Sequence, residues 1–168
     1  MRDDILEVAA ALGIAPAEFS PLSPTAWKGV LGTILDQFTT LGPEGRAHPW
    51  LWKHLKGDTV AVQMPDHGGY LRLTQLIPPD ERVWFLTEDW DGKAGGHYWV
   101  FEGRLDAAVA LMDELFAFEY YVVSKDYGWL LCENHHDVLI GVGQPITDRL
   151  GRMDLQEISV PKNQPALD

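Results

Sequence analysis

The sequence predicts an α+β domain in which N-terminal helices pack on a mainly antiparallel sheet. Two observations lead to this prediction: helical patterns come before most of the strand patterns, and the later strands follow one another through short turns instead of alternating with helices. The chain has 168 residues, which fits one domain with its own hydrophobic core. We therefore predict a single domain over 1–160, a ββαββ unit in its second half, and a loose tail over 161–168.

Three helices are predicted in the first third of the chain. The first, over 2–12, has apolar residues on one face and ends before Gly13. The second begins with Ser23 as its N-cap, and its apolar residues keep a spacing of three and four as far as Phe38. A third, short helix is predicted over 49–56.

Strands are predicted where apolar and β-branched residues alternate or run together between turn residues. Two of them, 82–88 and 97–102, are joined by a polar, glycine-rich connection that predicts a hairpin. A helix over 104–116 follows this hairpin, whereas 70–77 fits a strand and a short helix about equally well. The other predicted strands cover 59–63, 118–124, 129–133 and 138–142.

The charge distribution favours a basic protein as a partner. The formal net charge is −12, and residues 80–137 alone carry thirteen acidic and four basic side chains, a net charge of −9. Such a surface repels nucleic acid and anionic lipid, so we expect neither a nucleic acid nor a membrane as a partner. The alternative explanation is that the acidic residues serve solubility alone.

A cytoplasmic location is expected from three features of the sequence. Cys132 is the single cysteine, so the chain forms no internal disulfide and no four-thiolate zinc site. Acidic residues stand near the N-terminus where a secretion signal carries basic residues. No apolar run reaches the roughly 18 residues that a membrane span requires.

The densest group of chemically active side chains is Glu133-Asn134-His135-His136-Asp137. Histidine and carboxylate are common ligands of catalytic zinc and iron, so one hypothesis is a small hydrolase that holds a divalent metal with His135, His136 and Asp137. Glu133 would serve as its base. Adjacent histidines on a strand point to opposite faces, however, and Asn134 and Asp137 suit a turn. The sequence therefore favours a polar hairpin turn and keeps the metal site as the alternative.

A second acidic group comprises Glu88, Asp89 and Asp91, which follow a predicted strand. These carboxylates could bind a divalent cation or act as an acid and base pair. The segment lacks the closing glutamate of the calcium-binding loop, so a solvated hairpin loop is the simpler interpretation. The chain also has no dinucleotide fingerprint, phosphate-binding loop or serine elbow, and no catalytic residue is predicted.

Seven Trp and five Tyr complete the pattern. Some belong to the core, but these residue types are also favoured at binding interfaces. The leading hypothesis is a non-enzymatic module, without a cofactor, that binds a basic protein through acidic and aromatic residues. The sequence leaves its oligomeric state open. The candidate binding residues are Glu88, Asp89, Trp90, Asp91, Glu133 and Asp137.

Residues 118–137 read Phe-Glu-Tyr-Tyr-Val-Val-Ser-Lys-Asp-Tyr-Gly-Trp-Leu-Leu-Cys-Glu-Asn-His-His-Asp. This stretch, with the strand patterns upstream of it, resembles the signature of a bacterial family of unknown function over roughly residues 80–143. The resemblance implies a bacterial single-domain protein and assigns no catalytic residue. The architecture is also similar, at the level of the fold alone, to small bacterial immunity proteins that neutralise toxins.

Overall fold

A seven-stranded antiparallel sheet forms the centre of the structure, a computed structural model that describes residues 1–65, 67–89 and 98–153. The strands are β1 (Phe19–Pro21), β2 (Thr59–Gln63), β3 (Arg82–Glu88), β4 (Tyr98–Arg104), β5 (Tyr120–Ser124), β6 (Leu130–Glu133) and β7 (Val138–Val142). The α-helices are α1 (Arg2–Ala11), α2 (Trp27–Phe38), α3 (Leu73–Leu76), α4 (Leu105–Glu114) and α5 (Ile146–Gly151). Three 3₁₀ helices cover Gly42–Ala47, Leu51–His54 and Tyr70–Arg72. The strand order is β1-β4-β3-β5-β6-β7-β2.

Both faces of the sheet are covered by helices, and the pleat of the strands sorts their side chains between two cores. On β5, Tyr120 and Val122 face the core formed with α1, α3, α4 and α5. Tyr121 and Val123 face the opposite core, formed with α2 and the 3₁₀ turn that contains Leu51. Because successive strand residues alternate between faces, a central strand with two covered faces is buried at every position, as β5 is.

The predicted α+β class and the antiparallel sheet are confirmed. The strands predicted over 59–63, 82–88 and 138–142 match β2, β3 and β7, and β3 pairs with β4 as the predicted hairpin requires. The C-terminal half contains ββαβββ: β5, β6 and β7 match the three strands predicted over 118–124, 129–133 and 138–142, so the description of this half as ββαββ was one strand short.

The helical predictions in the first half need correction at their boundaries. The second helix begins at Trp27, and the Ser23 hydroxyl accepts a hydrogen bond from Ala26 N in the turn that precedes it. The third is a 3₁₀ turn of four residues, since Trp50 adopts a left-handed backbone that stops regular helix before it. The ambiguous stretch over 70–77 is helical.

Three elements were not predicted at all, namely β1, α5 and the 3₁₀ helix over Gly42–Ala47. Each is short, so none shows a periodic pattern of its own. The predicted tail over 161–168 lies outside the described residues, as do Trp90 and Asp91. Among the described residues, no helix combines the length and hydrophobicity needed to cross a membrane.

The contact between β1 and β4 requires a glycine at position 103. A Cβ atom there would lie 2.5 Å from the Glu18 carbonyl oxygen and 2.9 Å from Phe19 Cα. Gly103→Ala should therefore lower the free energy of unfolding by about 1–3 kcal/mol, because the backbone of the edge strand must move. Urea denaturation measures this change.

The matched control is Gly32→Ala in α2, where an added Cβ meets no atom within 4 Å. Since alanine favours the helix, this variant should be as stable as the parent or up to about 1 kcal/mol more stable. Equal losses in the two variants would contradict the close approach of β1 to β4.

Candidate functional site

A cleft of about 400 Å³ opens where β5 begins and β6 ends. Its walls come from four parts of the chain that are far apart in sequence: the turn at Trp50, the segment that contains His67 and Tyr70, the C-terminal end of α4 with the residues after it, and the β6–β7 turn. The lining residues that bear on its chemistry are Trp50, His67, Tyr70, Asp113, Phe116, Phe118, Glu119, Tyr120, Glu133, His135 and Asp137.

Four carboxylates line this cleft, and each one accepts a hydrogen bond from an imidazole or a phenol. Three of these bonds measure between 2.6 and 2.8 Å. The pairs are Glu119 with His135 Nδ1, Glu133 with the Tyr120 hydroxyl, Asp137 with His67 Nδ1, and Asp113 with the Tyr70 hydroxyl. All four acids are thus oriented by donors that carry no permanent charge.

No lysine or arginine is among the described residues that line the cleft. Lys53 lies beside the cleft, with its Nζ 4.1 Å from the Trp50 ring centroid and 5.1 Å from that of Trp52. The charge of the four carboxylates is therefore not neutralised by a fixed cation within the lining. Such a cleft attracts positive groups.

Glu119 is the most deeply buried of the four acids, with 3% of its surface exposed. Its Oε1 atom accepts hydrogen bonds from Trp52 Nε1 at 3.1 Å, from the His135 backbone N at 3.1 Å, and from His135 Nδ1. Its Oε2 atom is buried and receives no hydrogen bond within the described part of the chain. A buried acceptor without a donor is uncommon in folded proteins, and the neighbouring Glu88 carboxyl can supply a donor to Glu119 when it is protonated.

Glu88 lies beside Glu119 and completes a pair of buried carboxyls. Burial raises the pKa of Glu88 to about 6; the Trp50 backbone N–H opposes this shift, and the charge of Glu119 adds to it. The Trp50 N–H donates to Glu88 Oε1 at 2.9 Å and so fixes the turn that brings the Trp50 ring to the cleft. A protonated Glu88 can donate to Glu119, whereas two ionised carboxylates repel each other.

Glu133 closes the opposite wall. Its Oε2 atom accepts the Tyr120 hydroxyl at 2.6 Å, and burial raises the pKa of the Glu133 carboxyl while the bond from Tyr120 lowers it. A side chain at Gly69 would collide with this carboxylate. A residue with a Cβ at position 69 would therefore force the Glu133 carboxylate to shift.

The segment from Glu133 to Asp137 is a hairpin turn, as the sequence favoured. Asn134 Oδ1 accepts hydrogen bonds from the backbone N–H groups of His136 and Val138, at 2.9 and 3.3 Å. Asp137 takes a left-handed backbone, with φ of 57°. This turn places the two histidine rings side by side, with centroids 4.0 Å apart, instead of on opposite faces of a strand.

The predicted metal ligands are not arranged as a metal site. His135 is hydrogen-bonded to Glu119, and Asp137 to His67. Within residues 1–65, 67–89 and 98–153, no group of three or more His, Cys, Asp or Glu side chains has a geometry that could hold a metal ion. Burial raises the pKa of the Cys132 thiol, which agrees with a structural role for this residue.

The structure places the six predicted binding residues in three different settings. Glu133 and Asp137 line the cleft. Glu88 and Asp89 are buried, at 6% and 7% exposure, so the solvated acidic loop expected at these two positions is wrong. The reason is that Glu88 accepts the Trp50 N–H and Asp89 accepts the Trp99 indole N–H, at 3.1 Å. The remaining two, Trp90 and Asp91, lie outside the described residues.

The sequence reasoning missed Glu119, His67, Tyr70 and Asp113. Glu119 could have been noticed, because a charged residue beside the buried β5 strand must find partners. The others gave no such signal, since they reach the cleft only through contacts between segments distant in sequence.

The ionisation of Glu88 predicts a pH dependence of stability. Since burial raises its folded-state pKa, its contribution is fully present below the ordinary value of 4.5 and is lost as the pH rises through about 6. The free energy of unfolding of the parent, relative to Glu88→Gln, should fall by about 1 kcal/mol between roughly pH 5 and pH 8. Urea denaturation at both pH values gives this difference.

The control is Glu114→Gln at an exposed position of α4. Its stability relative to the parent should stay constant over the same pH range. A constant difference for Glu88→Gln as well would mean that burial does not shift the ionisation of this carboxyl.

The model of a family of unknown function, DUF6756, matches residues 1–154. No curated protein and no solved structure matches the chain. The resemblance to a family of unknown function is confirmed, while the similarity to immunity proteins stays a prediction. The chain belongs to the DUF6756 family.

Proposed function

We propose that the protein is a non-enzymatic binding module whose cleft receives a basic side chain of a protein partner. The observation that carries this proposal is the composition of the cleft: four carboxylates held by ring donors, with no lysine or arginine among its described lining residues. A positive group that enters supplies the missing countercharge.

The position of the carboxylates favours such a ligand over a dissolved cation. Glu119 and Glu133 are less than 10% exposed, so they lie in a region where water screens charges poorly. Attraction between a carboxylate and a cation is stronger there than on an open surface. A strongly hydrated inorganic ion would have to give up much of its water, whereas a basic side chain brings its own apolar stem.

Apolar residues at the mouth of the cleft provide the surface that such a stem needs. Phe116 is 96% exposed, and Trp50 is 39% exposed. Leu115, Met112 and Phe118 also line the cleft. Large apolar side chains exposed next to a polar cleft are typical of protein-binding surfaces, where aromatic rings contribute most of the contact area.

The lining of the cleft offers no activated hydroxyl or thiol nucleophile among its described residues. The described residues that line the cleft include no serine, threonine or cysteine. The phenols of Tyr70 and Tyr120 donate to carboxylates, and burial raises the pKa of Tyr70 to about 12, with its bond to Asp113 as the second cause. These hydroxyls stay protonated at neutral pH and make poor nucleophiles.

The partner would be a basic protein, because the net charge of −12 would steer it towards the cleft before contact. An immunity protein that neutralises a basic toxin is one example of an acidic protein that binds such a partner. The long-range attraction weakens as salt screens it, over about 10 Å at 0.1 M. The short-range contacts inside the cleft are less sensitive to salt.

The proposal is tested with short acetylated peptides that carry two basic residues in a neutral sequence, and with the same peptides carrying Glu or Gln instead. Chemical shifts of the labelled protein give the affinity and the location. We expect binding of the basic peptides alone, with shifts at Tyr70, Phe116 and His135. The double variant Asp113→Asn with Asp137→Asn should weaken it about 10-fold or more, since charge-assisted hydrogen bonds are lost.

The matched control is Asp148→Asn, which removes an exposed carboxylate from α5, outside the cleft. Its affinity for the basic peptides should change less than about 2-fold, as for a surface charge. Binding that is equal for acidic and basic peptides, or shifts that map away from the cleft, would contradict the proposal. Absence of binding by every basic peptide would do so as well.

A further inference from the structure

We propose that the protein forms a two-fold dimer in which the outer edge of β2 pairs with the same edge of a second copy. The two sheets then continue through the contact as one antiparallel sheet. No residue of β2 lines the cleft, so this surface is distinct from the candidate functional site.

β2 ends the sheet with unpaired backbone groups. Its hydrogen-bonded neighbour is β7, and no other strand among the described residues pairs with it. Just beyond the paired stretch, the Met64 N–H donates to the Asp137 carbonyl at 2.7 Å. Because bonding directions alternate along an antiparallel strand, the backbones of Val62 and Val60 also face β7. The residues whose N–H and C=O groups point outwards are therefore Thr59, Ala61 and Gln63.

This outer edge is self-complementary under a two-fold rotation, because Ala61 is the middle one of the three outward-facing residues. An axis at Ala61 places it opposite the partner's Ala61, and Thr59 opposite the partner's Gln63. All the pairs formed in this way are of the hydrogen-bonded type, so each outward N–H and C=O group of β2 gains a partner. A second copy thus supplies a strand of the same length with the same unpaired groups.

The side chains of β2 allow a second strand to approach. Those of Thr59, Ala61 and Gln63 are exposed, and the two valines are half-buried against the core formed with α1, α3, α4 and α5. In the two-fold register Val60 faces the partner's Val62. Pairs of β-branched residues opposite each other stabilise neighbouring strands, so the contact covers the apolar surface that the valines still expose.

The charge distribution also permits a second copy at this edge. None of the five residues of β2 is charged, and the charges that flank it, Lys56 and Asp58, have opposite signs. In the proposed register Asp58 faces the partner's Met64, so no acidic residues oppose each other. Residues 80–137 carry a net charge of −9 out of the total of −12, and β2 lies outside this range.

The two edges of the sheet differ in their protection against pairing. β1, at the other edge, has three residues and ends in Pro21, which has no N–H to donate. β2 has five residues and contains no proline, lysine or other charged residue. Proteins that stay monomeric commonly protect edge strands by such features. Their absence from β2, together with its symmetry, favours a second copy as the occupant.

The first test is sedimentation velocity of the full chain between about 5 and about 500 µM. We expect a monomer–dimer equilibrium with a dissociation constant of about 10–100 µM, because one strand per copy buries less than the roughly 1,200 Å² of a stable interface. A protein that remains monomeric over the whole range would overturn the inference. So would protection of the Ala61 amide from hydrogen exchange in the monomer, since the chain itself would then cover the edge.

Ala61→Pro removes the donor at the two-fold axis. The Ala61 N–H points away from β7, so this proline takes no hydrogen bond from the sheet. Dimerisation should weaken about 10-fold or more, while the monomer stays folded by circular dichroism. A folded variant that dimerises as strongly as the parent would place the interface elsewhere and overturn the inference.

A matched pair of double variants tests the register and decides the question if Ala61→Pro fails to fold. Thr59→Lys with Gln63→Glu brings opposite charges together across the two-fold axis, whereas Thr59→Lys with Gln63→Lys brings like charges together. The first should dimerise at least about 10-fold more tightly than the second. The second variant has the smaller net negative charge, so general repulsion between copies predicts the opposite order. Equal dimerisation, or that opposite order, would overturn the proposed pairing.

Discussion

The Glu119 carboxylate is the interaction on which the cleft depends. It accepts hydrogen bonds from the Trp52 indole and from the backbone and ring of His135, so one side chain at the start of β5 holds both the turn near residue 50 and the β6–β7 turn. Glu88 reinforces this junction from β3 by accepting the Trp50 N–H. This end of the sheet would otherwise present two independent loops. Through these bonds it presents one cleft, and the Glu119 carboxyl fixes the position of the His135 ring in its wall.

Burying these acids costs free energy, and their hydrogen-bond donors offset part of that cost. Glu88 and Glu133 lose solvation on burial, and this loss raises the pKa of both carboxyls. An apolar residue at either position would not carry this cost. Trp50 adds to this because its left-handed backbone is disfavoured by about 1–2 kcal/mol for a residue with a side chain. Replacing buried ionic groups by apolar ones is often neutral or stabilising. Stability alone therefore gives no reason for this arrangement, whereas the proposed binding of a basic side chain does.

Sequence patterns could predict the elements that depend on residues close together in the chain. β2, β3 and β7 follow from alternating or continuous apolar residues, and the turn before β7 follows from Asn134, whose side chain bonds the backbone beside it. β1 was missed because three residues carry no period, and their pairing with β4 depends on Gly103, more than 80 positions away. The candidate site was only partly visible for the same reason. Glu133 and Asp137 were found because they stand together in the sequence, but Glu119 meets Trp52 and His67 meets Asp137 across intervals of 67 and 70 residues.

The acidic residues of the chain fall into an exposed group and a buried group, and the two groups act differently. Exposed acids such as Glu114 contribute to the electrostatic field around the protein, and salt screens this field. A role in solubility is enough to explain these exposed acids. The carboxylates of Glu119 and Glu133 contribute little to this outer field. Because they are buried, their interaction with a group bound in the cleft is stronger than it would be at the surface. A count of charges along the sequence does not distinguish the exposed acids from the buried ones. The structure separates them, and it shows that the buried carboxylates of Glu119 and Glu133 are oriented by the rings of His135 and Tyr120.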